Sequence, residues 1–266
     1  GLCGPAYTSQ SVVADSSTCI NFYVERVEAQ IPGTASRFVL YPTPGKKVFY
    51  QNAAMKNVRD CLEISGRAFA VLEDLGQQFL FEILPNGIAT NIGPLGAAGG
   101  NVTMAVNNAS PRQLMVTSAG RLFLCTLGLP VTLAEVSTNG TTALQGPVSD
   151  VRFLGPYFLA RLRDTQRFQI SDLLDGSSWN PLDIAQVQLF PDLLRASFVD
   201  HLTYWLFSGT KGVAYSNTGN ADFPLEPYTA SVVEQGIAGE KAWCQQDNSV
   251  FMIVDDARGA RFLGRL

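Results

Sequence analysis

Histidine is nearly absent from this chain, because His201 is the single histidine among 266 residues. A metal site built from several histidines is therefore excluded by count, and any Ser-His-Asp or Cys-His arrangement has to use His201. In VDHLTYWLF we expect His201 to begin a strand and Asp200 to point to the opposite face. The two side chains are thus not predicted to form a catalytic pair, and no catalytic residue is assigned.

Charge and long apolar runs are also in short supply. Charged residues make up 16% of the chain, and the formal net charge is −4. This acidic balance is the opposite of what a strong polyanion binder shows. No run approaches the roughly 18 consecutive apolar residues of a membrane span, so no membrane association is predicted. The N-terminal GLCGPAYTSQ has neither the basic nor the apolar region of a signal peptide.

Closely spaced cysteine pairs are missing as well. The five cysteines are odd in number and lie far apart: Cys3, Cys19, Cys61, Cys125 and Cys244. A disulfide framework favours an even and dense set, and a zinc site favours C-x-x-C pairs. We therefore predict buried, reduced thiols in a cytoplasmic setting, and neither a metal ion nor another cofactor.

Glycine, proline and phenylalanine are plentiful, with 24, 14 and 16 copies, which favours many short strands joined by tight turns. Short apolar runs recur with anchors 45, 44, 46 and 47 residues apart at Ala70, Met115, Leu159, Trp205 and Met252. A second series keeps the same period at Phe79, Phe123, Phe168, Tyr215 and Phe262. A third does so at Val58, Val102, Val148, Leu194 and Glu240.

A period of about 45 residues with about four short strands in each unit is typical of β-propeller blades. The sequence therefore predicts an all-β protein whose residues 55–266 form a β-propeller with five visible blades. The fifth unit shows three strands, so either the chain is part of a larger ring or KKVFY (46–50) adds the missing strand. Residues 1–54 do not match the repeat and are predicted to be an N-terminal arm.

An acidic loop stands out in QISDLLDGSSWNPLD (169–183), which contains Asp172, Asp175 and Asp183 beside Trp179. It is compatible with a calcium loop, with a carboxylate pair for glycoside chemistry, or with a turn held by aspartate. The calcium ligand spacing D-x-D-x-D-G is absent, and one loop cannot supply a second carboxylate across a cleft. Because ADFPLEP recurs at the same phase of the next unit, we interpret the loop as a blade corner that Trp179 packs down.

Two further segments carry candidate binding residues. The densest basic run contains Arg152, Arg161, Arg163 and Arg167, which we interpret as a solvated rim of the third blade, with contact to DNA or to an acidic partner as the alternative. The glycine-rich GPLGAAGG (93–100) lacks the lysine and helix of a phosphate-binding loop, so we expect a connection between blades there.

Long segments of the chain resemble one known family. They are GLCGPAY, CINFYVE, YPTPGKKVF, GRAFAV, DTQRFQISDLLDGSSWNPLDIAQ, VDHLTYWLFSG, NTGNADFPLEP, VVEQGIAG and DNSVFMIVDDARG, in this order. Together they resemble the packaged-DNA stabilization proteins of short-tailed phages, the tail hub or tail accessory factor family. The likeness runs through most of the chain.

The resemblance implies a structural virion protein of the tail, assembled in the bacterial host cytoplasm, and not an enzyme. It implies six copies beneath the portal and its adaptor ring, which help to close the DNA channel and carry tail spikes, fibres or a needle. Whether the chain touches DNA directly is left open. The alternatives are a non-catalytic, sialidase-like glycan-binding propeller and a propeller scaffold for protein partners.

Overall fold

The computed structural model of the protein describes residues 22–27, 37–42, 45, 47–55, 57–138, 140, 143–246, 248–255 and 259–266. These residues form strands, turns and irregular segments, and the described part of the chain holds no helix of the length and apolarity that a membrane crossing requires. The chain divides into two compact units, Gly1–Phe49 and Tyr50–Leu266.

The described residues of the first unit include an antiparallel pair of strands. Strand β1 (Phe22–Val27) pairs with β2 (Arg37–Pro42), with Phe22 opposite Pro42 and Val27 opposite Arg37. The strand-like run CINFYVERVEA thus contains a strand. Residues 47–50 of the expected closing strand lie outside any strand, and Val48 and Phe49 are exposed.

The second unit begins with four sheets of one plan, in which four antiparallel strands pair in chain order. Blade 1 contains β3 (Asn57–Ile64), β4 (Arg67–Asp74), β5 (Gln77–Ile83) and β6 (Ala89–Ala97). Blade 2 contains β7 (Met104–Val106), β8 (Gln113–Ser118), β9 (Arg121–Thr126) and β10 (Thr132–Glu135). Blade 3 contains β11 (Val148–Leu154), β12 (Tyr157–Leu162), β13 (Arg167–Ile170) and β14 (Ile184–Gln186). Blade 4 contains β15 (Ala196–Asp200), β16 (Thr203–Phe207), β17 (Gly212–Asn217) and β18 (Leu225–Val233).

Blade 5 is narrower than the others. Its strands are β19 (Gly236–Ile237), β20 (Trp243–Gln246), β21 (Ser249–Asp255) and β22 (Arg261–Arg265). The short strands β19 and β20 both pair with one edge of β21, and β22 pairs with the other edge. The sheet is therefore three strands wide, as expected from the sequence.

The three repeat series occupy equivalent places in the blades. The Ala70 series lies on β4, β8, β12, β16 and β21, and the Phe79 series lies on β5, β9, β13, β17 and β22. The Val58 series lies at or just before β3, β7, β11, β15 and β20. The predicted all-β fold with a blade period of about 45 residues is confirmed, and the described residues form five blades of a β-propeller.

Neighbouring blades are held together by buried apolar side chains. Met115 of blade 2 shares a core with Phe158 of blade 3, and both are fully buried. Phe168 of blade 3 makes edge-to-face contacts with Tyr204 and Tyr215 of blade 4, with ring centroids 5.3 and 5.1 Å apart. Burying one such side chain contributes about 1.5–3 kcal/mol. A blade covers both faces only by stacking on its neighbours, which is why the unit must repeat.

Candidate functional site

Charged side chains gather where the first strands of the blades meet. Asp150 on β11 is almost fully buried, and Arg152 lies on the same face of the strand with its Nη2 atom 2.9 Å from Asp150 Oδ1. Arg152 Nε also donates to the backbone oxygen of Ser197 on β15, at 3.2 Å. The guanidinium stacks over the Trp243 ring of blade 5, 5.0 Å from its centroid. Arg152 therefore connects blades 3, 4 and 5.

A second arginine connects the same region to the last blade. Arg161 is 2% exposed, and its Nη1 atom donates to the backbone oxygen of Leu194 at 2.9 Å. Its Nη2 atom lies 3.2 Å from Glu240 Oε1, while Asn101 donates to the other Glu240 oxygen. Lys241 Nζ donates to the backbone oxygen of Val102, at 2.9 Å. The segment before β20 is thereby bound to blades 2 and 3.

We call Asp150, Arg152, Arg161, Glu240 and Lys241 the axial charge cluster. Each of these side chains has a partner of opposite charge or a backbone oxygen. Burial raises the pKa of the neighbouring Asp60, although the charges of Lys241 and Arg152 oppose this rise. Removing one partner from a buried pair costs about 3–5 kcal/mol, because the remaining charge stays uncompensated. The cluster joins blades through the Arg161–Glu240 ion pair and through hydrogen bonds from Arg152, Arg161 and Lys241 to backbone oxygens.

The axial charge cluster was not predicted from the sequence. The prediction that the arginine run is a solvated rim is wrong for Arg152 and Arg161, because β11 and β12 turn these side chains towards Ser197, Leu194 and Glu240. Of the other two, Arg167 is exposed and Arg163 is half-buried. One signal was present, since Glu240 places a carboxylate at a repeat position that is apolar in the four preceding units.

The acidic loop forms the corner between β13 and β14, which we call the aspartate corner (171–183). Asp175 Oδ1 accepts hydrogen bonds from the backbone nitrogen and the hydroxyl of Ser177, at 2.9 and 2.7 Å. Burial by itself raises the pKa of Asp175, but these bonds and one from Gln113 bring it below its usual value. The carboxylate is therefore occupied in holding the turn.

Trp179 anchors the same corner from below. Its side chain is fully buried in the core that blades 2 and 3 share, and its Nε1 atom donates to the backbone oxygen of Gly176 at 2.8 Å. Gly176 in turn donates its backbone N–H to Gln113 Oε1 on β8, at 2.8 Å. The predicted structural role of Asp175, Gly176 and Trp179 is confirmed.

The other two aspartates of the corner are not assembled into a metal site. Asp172 and Asp175 face each other in an isolated bridge of the backbone. Burial, together with the nearby Asp172 carboxylate, raises the pKa of Asp183. Across the described residues, no group of three or more His, Cys, Asp or Glu side chains is placed to hold a metal ion.

The expectation for His201 is wrong. His201 and Leu202 form the two-residue turn between β15 and β16, with φ values of 45° and 63°, so His201 does not begin a strand. The turn folds the ring back towards Asp200, and the distance from His201 Nδ1 to Asp200 Oδ2 is 2.6 Å. The hydrogen bond to Asp200 and its charge raise the pKa of His201. Its Nε2 atom lies 3.0 Å from Asn248 Oδ1 of blade 5, so the pair links two hairpins.

Two other expectations need correction. Residues 93–97 of the glycine-rich segment belong to β6, because they pair with β5, and only the last three residues form the connection between blades. Cys61 and Cys244 are exposed, whereas Cys125 is buried. Burial raises the pKa of the Cys125 thiol to about 12. Cys3 and Cys19 lie outside the described residues.

A cavity of about 520 Å³ lies among blades 3, 4 and 5. Its lining includes Asp164, Asp192, Arg195, Thr210 and Glu240. Asp192 accepts a hydrogen bond from the Thr210 hydroxyl, and Arg195 lies 3.3 Å from Asp255 Oδ2. Since Glu240 pairs with Arg161, four of these five side chains already serve contacts within the protein.

Solved structures resemble the chain at low sequence identity. A protein from Lactobacillus plantarum matches with a TM-score of 0.52 and 9% identity, over 91% of this chain and 81% of that one. A streptogramin B lyase structure gives 0.49 and 12%, over 92% and 88%. AztD from Citrobacter koseri gives 0.46 and 11%, over 92% and 78%. The likeness to the L. plantarum protein concerns the fold alone. No curated protein matches the chain.

A family model settles the relationship that the folds leave open. The model described as the bacteriophage P22 Gp10 β-propeller matches residues 34–262, which is well over half of the chain. The match includes β2 and all five blades up to β22. The chain therefore belongs to the phage stabilisation family of the P22 Gp10 β-propeller, a family of phage structural proteins.

Proposed function

We propose that this protein is a tail hub of a short-tailed phage virion, assembled in the cytoplasm of the bacterial host. In this role six copies dock beneath the portal and its adaptor ring, help to close the DNA channel, and carry tail spikes, fibres or a needle. The family match over residues 34–262 carries the proposal. The position in the tail, the copy number and the appendages follow from the resemblance described above.

The contacts of the axial charge cluster support a role in resisting mechanical force. A channel closure has to resist the pressure of packaged DNA, so its parts must not separate under force. Arg152 and Arg161 connect blade 3 to blades 4 and 5, and Glu240 and Lys241 connect blade 5 back to blades 2 and 3. These links tie together blades that are far apart along the chain, in addition to the apolar cores between neighbours.

The arginines favour closure without a strong grip on DNA phosphates. Two arginines of the densest basic run are already engaged inside the propeller, where Arg161 is 2% exposed. Phosphate binding requires accessible cations, whose contacts make affinity fall steeply with salt. The net charge of −4 points the same way. We therefore propose that the protein retains DNA as a barrier.

We also propose that the protein is not an enzyme. The carboxylates that first suggested chemistry have structural tasks, because Asp175 holds a turn and Asp200 accepts a hydrogen bond from Gln245 on β20. His201 bridges two hairpins through Asp200 and Asn248. These contacts support a role in assembly.

The direct test is binding to portal–adaptor complexes of a short-tailed phage, viewed by negative-stain microscopy. We expect a ring of six copies beneath the adaptor, and none on matched portals that lack it. DNA-filled heads bearing the adaptor should lose less DNA to added nuclease once the protein is bound. A protein that stays monomeric and leaves the complexes bare would contradict the hub, and retention on a glycan array would then favour the glycan-binding alternative.

A matched pair of variants tests whether the axial charge cluster holds the blades together. Arg161→Met leaves the backbone oxygen of buried Leu194 without its donor and removes the ion pair with the partly exposed Glu240, so it should lower the free energy of unfolding by about 1–3 kcal/mol. Arg167→Met alters an exposed arginine of the same blade and should change stability by less than about 0.5 kcal/mol. Urea unfolding measures both, and nuclease sensitivity of the heads should rise only with Arg161→Met. Equal effects of the two changes would contradict the claim that the axial charge cluster stabilises the propeller.

A further inference from the structure

Four exposed leucines lie at one end of blades 2 and 3. Leu129, in the loop between β9 and β10, is fully exposed. Leu173, Leu174 and Leu182 belong to the aspartate corner and are 63%, 37% and 83% exposed. Both loops join the third and fourth strands of their blades, so they lie at the same end of the strands. We call these four side chains the leucine patch.

Contacts between the loops place these leucines in one region of the surface. Asn107, in the loop between β7 and β8, donates to the backbone oxygen of Leu174 at 3.1 Å. Pro111 of that same loop lies next to Gly128, directly before Leu129. The blade 2 loops and the aspartate corner are thus in direct contact. The Leu129 loop and the aspartate corner both lie beside the loop between β7 and β8, so the four leucines share one end of blades 2 and 3.

The corner does not need these leucines for its own stability. Trp179 fills the core beneath it, and Ser177 and Gln113 hold Asp175 and Gly176 in place. Leu174 even adopts a φ of 55°, in the left-handed region that suits glycine or asparagine better than leucine. Grouped exposed leucines of this kind mark protein contact sites.

The charges around the leucine patch define the partner. Asp172, Asp175 and Asp183 surround the corner, and none of them forms an ion pair with another described residue. Arg112, a cation in the loop between β7 and β8, is directed to blade 1, where it donates to Ser65 Oγ at 2.9 Å. Burial and then the charge of the nearby Asp172 raise the pKa of Asp183, so the two carboxylates lie close enough to interact. A partner with cations around an apolar centre complements this surface.

We propose that the leucine patch is a docking surface for a partner protein whose contact segment presents apolar side chains flanked by lysine or arginine. The apolar side chains would cover Leu129 and Leu182, and the cations would face Asp172 and Asp183. The proposal follows from the side chains of this surface, and it does not depend on the tail role.

The test uses two labelled synthetic peptides of equal length, with leucines at the same positions and either lysine or glutamate at all others. Fluorescence anisotropy measures their binding to the full chain. We expect the lysine peptide to bind, the glutamate peptide to bind at least tenfold more weakly, and Leu129→Ser/Leu182→Ser to weaken the lysine peptide at least tenfold. Asp172→Asn/Asp183→Asn should weaken it several-fold and reduce its salt dependence.

Leu75→Ser is the matched control. Leu75 is 86% exposed and has a φ of 45°, but it lies in the turn between β4 and β5, at the opposite end of the strands. This change should leave peptide binding within twofold of the unchanged protein. Thermal unfolding confirms that each variant is folded. No binding of the lysine peptide, equal binding of the glutamate peptide, or an equal loss in Leu75→Ser would overturn the proposal.

Discussion

The aspartate corner of blade 3 and the matching corner of blade 4 share a position but are built differently. In blade 3, the Asp175 carboxylate holds the turn and Trp179 is fully buried between two blades. In blade 4, the Asn217 and Asn220 side chains accept the turn hydrogen bonds, and Phe223 is half-buried with its ring 6.0 Å from that of Phe168. The element that both corners retain is the aromatic side chain beneath the loop. The carboxylate is one of several ways to form the turn, so its presence does not indicate catalysis.

The largest expected difference between the corners concerns the aromatic side chains. Trp179→Ala should lower the free energy of unfolding by about 3–5 kcal/mol, because it empties a fully buried site between blades 2 and 3. Phe223→Ala removes a smaller, half-buried ring and should cost about 2 kcal/mol or less. Urea unfolding at pH 7 measures both. Equal losses would show that the two aromatic side chains contribute equally to the free energy of unfolding.

Substitution of a glycine should also destabilise the two corners to different extents and for different reasons. A Cβ atom on Gly176 would lie 3.1 Å from both Met115 Sδ and Phe158 Cε2, so Gly176→Ala should cost about 1–3 kcal/mol by overpacking. Gly219 of blade 4 has open space but a φ of +71°, so Gly219→Ala should cost about 1 kcal/mol through backbone strain alone. Thermal unfolding of the two variants provides the comparison. A larger loss at Gly219 would contradict the tight packing around Gly176.

Replacing an aspartate in each corner should produce a smaller difference in stability. Asp175→Ala should lower stability by about 1–2 kcal/mol, as for a lost side-chain cap. The exposed Asp222→Ala should change it by less than about 0.5 kcal/mol. Since the folded-state pKa of Asp175 is lowered, its contribution is present above the unfolded pKa and is lost as pH falls through the folded pKa. Unfolding curves from pH 7 down to pH 3 should therefore converge for the original protein and Asp175→Ala, and parallel curves would argue against this role.

Replacing Asp183 should have the smallest effect on stability, and it should stabilise the protein instead of destabilising it. Burial and the Asp172 charge raise the pKa of Asp183, so the folded protein accommodates the charged carboxylate less favourably than the unfolded chain does. Asp183→Asn should therefore increase the free energy of unfolding at pH 7 by less than about 1 kcal/mol. The gain should disappear as pH falls below the raised pKa, where Asp183 itself is protonated. Destabilisation at pH 7 would mean that the carboxylate makes a favourable contact.

Local patterns predicted the blade architecture well, because strand alternation and turn residues act over short stretches of chain. The structural role of the aspartate corner could also be predicted, since Asp175, Gly176 and Trp179 are close in sequence. A similar segment, ADFPLEP, occupies the same position in the next repeat unit. His201 was not, because a two-residue turn with positive φ at His201 and Leu202 has no glycine, asparagine or aspartate to signal it. The strand boundary was therefore placed too early, and the contact with Asp200 was excluded for a reason that does not hold in a turn.

The sequence by itself determined the all-β class, the blade period and the family, because each blade is a local unit that repeats its own apolar pattern. Only the tertiary structure decided which charges meet at the centre. Glu240 lies 139 positions from Asn101 and 79 from Arg161, yet it bonds to both. Such contacts depend on how successive blades turn about their common centre, and neither spacing nor residue type encodes that geometry. Two of the four arginines that suggest a basic surface along the chain, Arg152 and Arg161, are thereby used to hold the blades together.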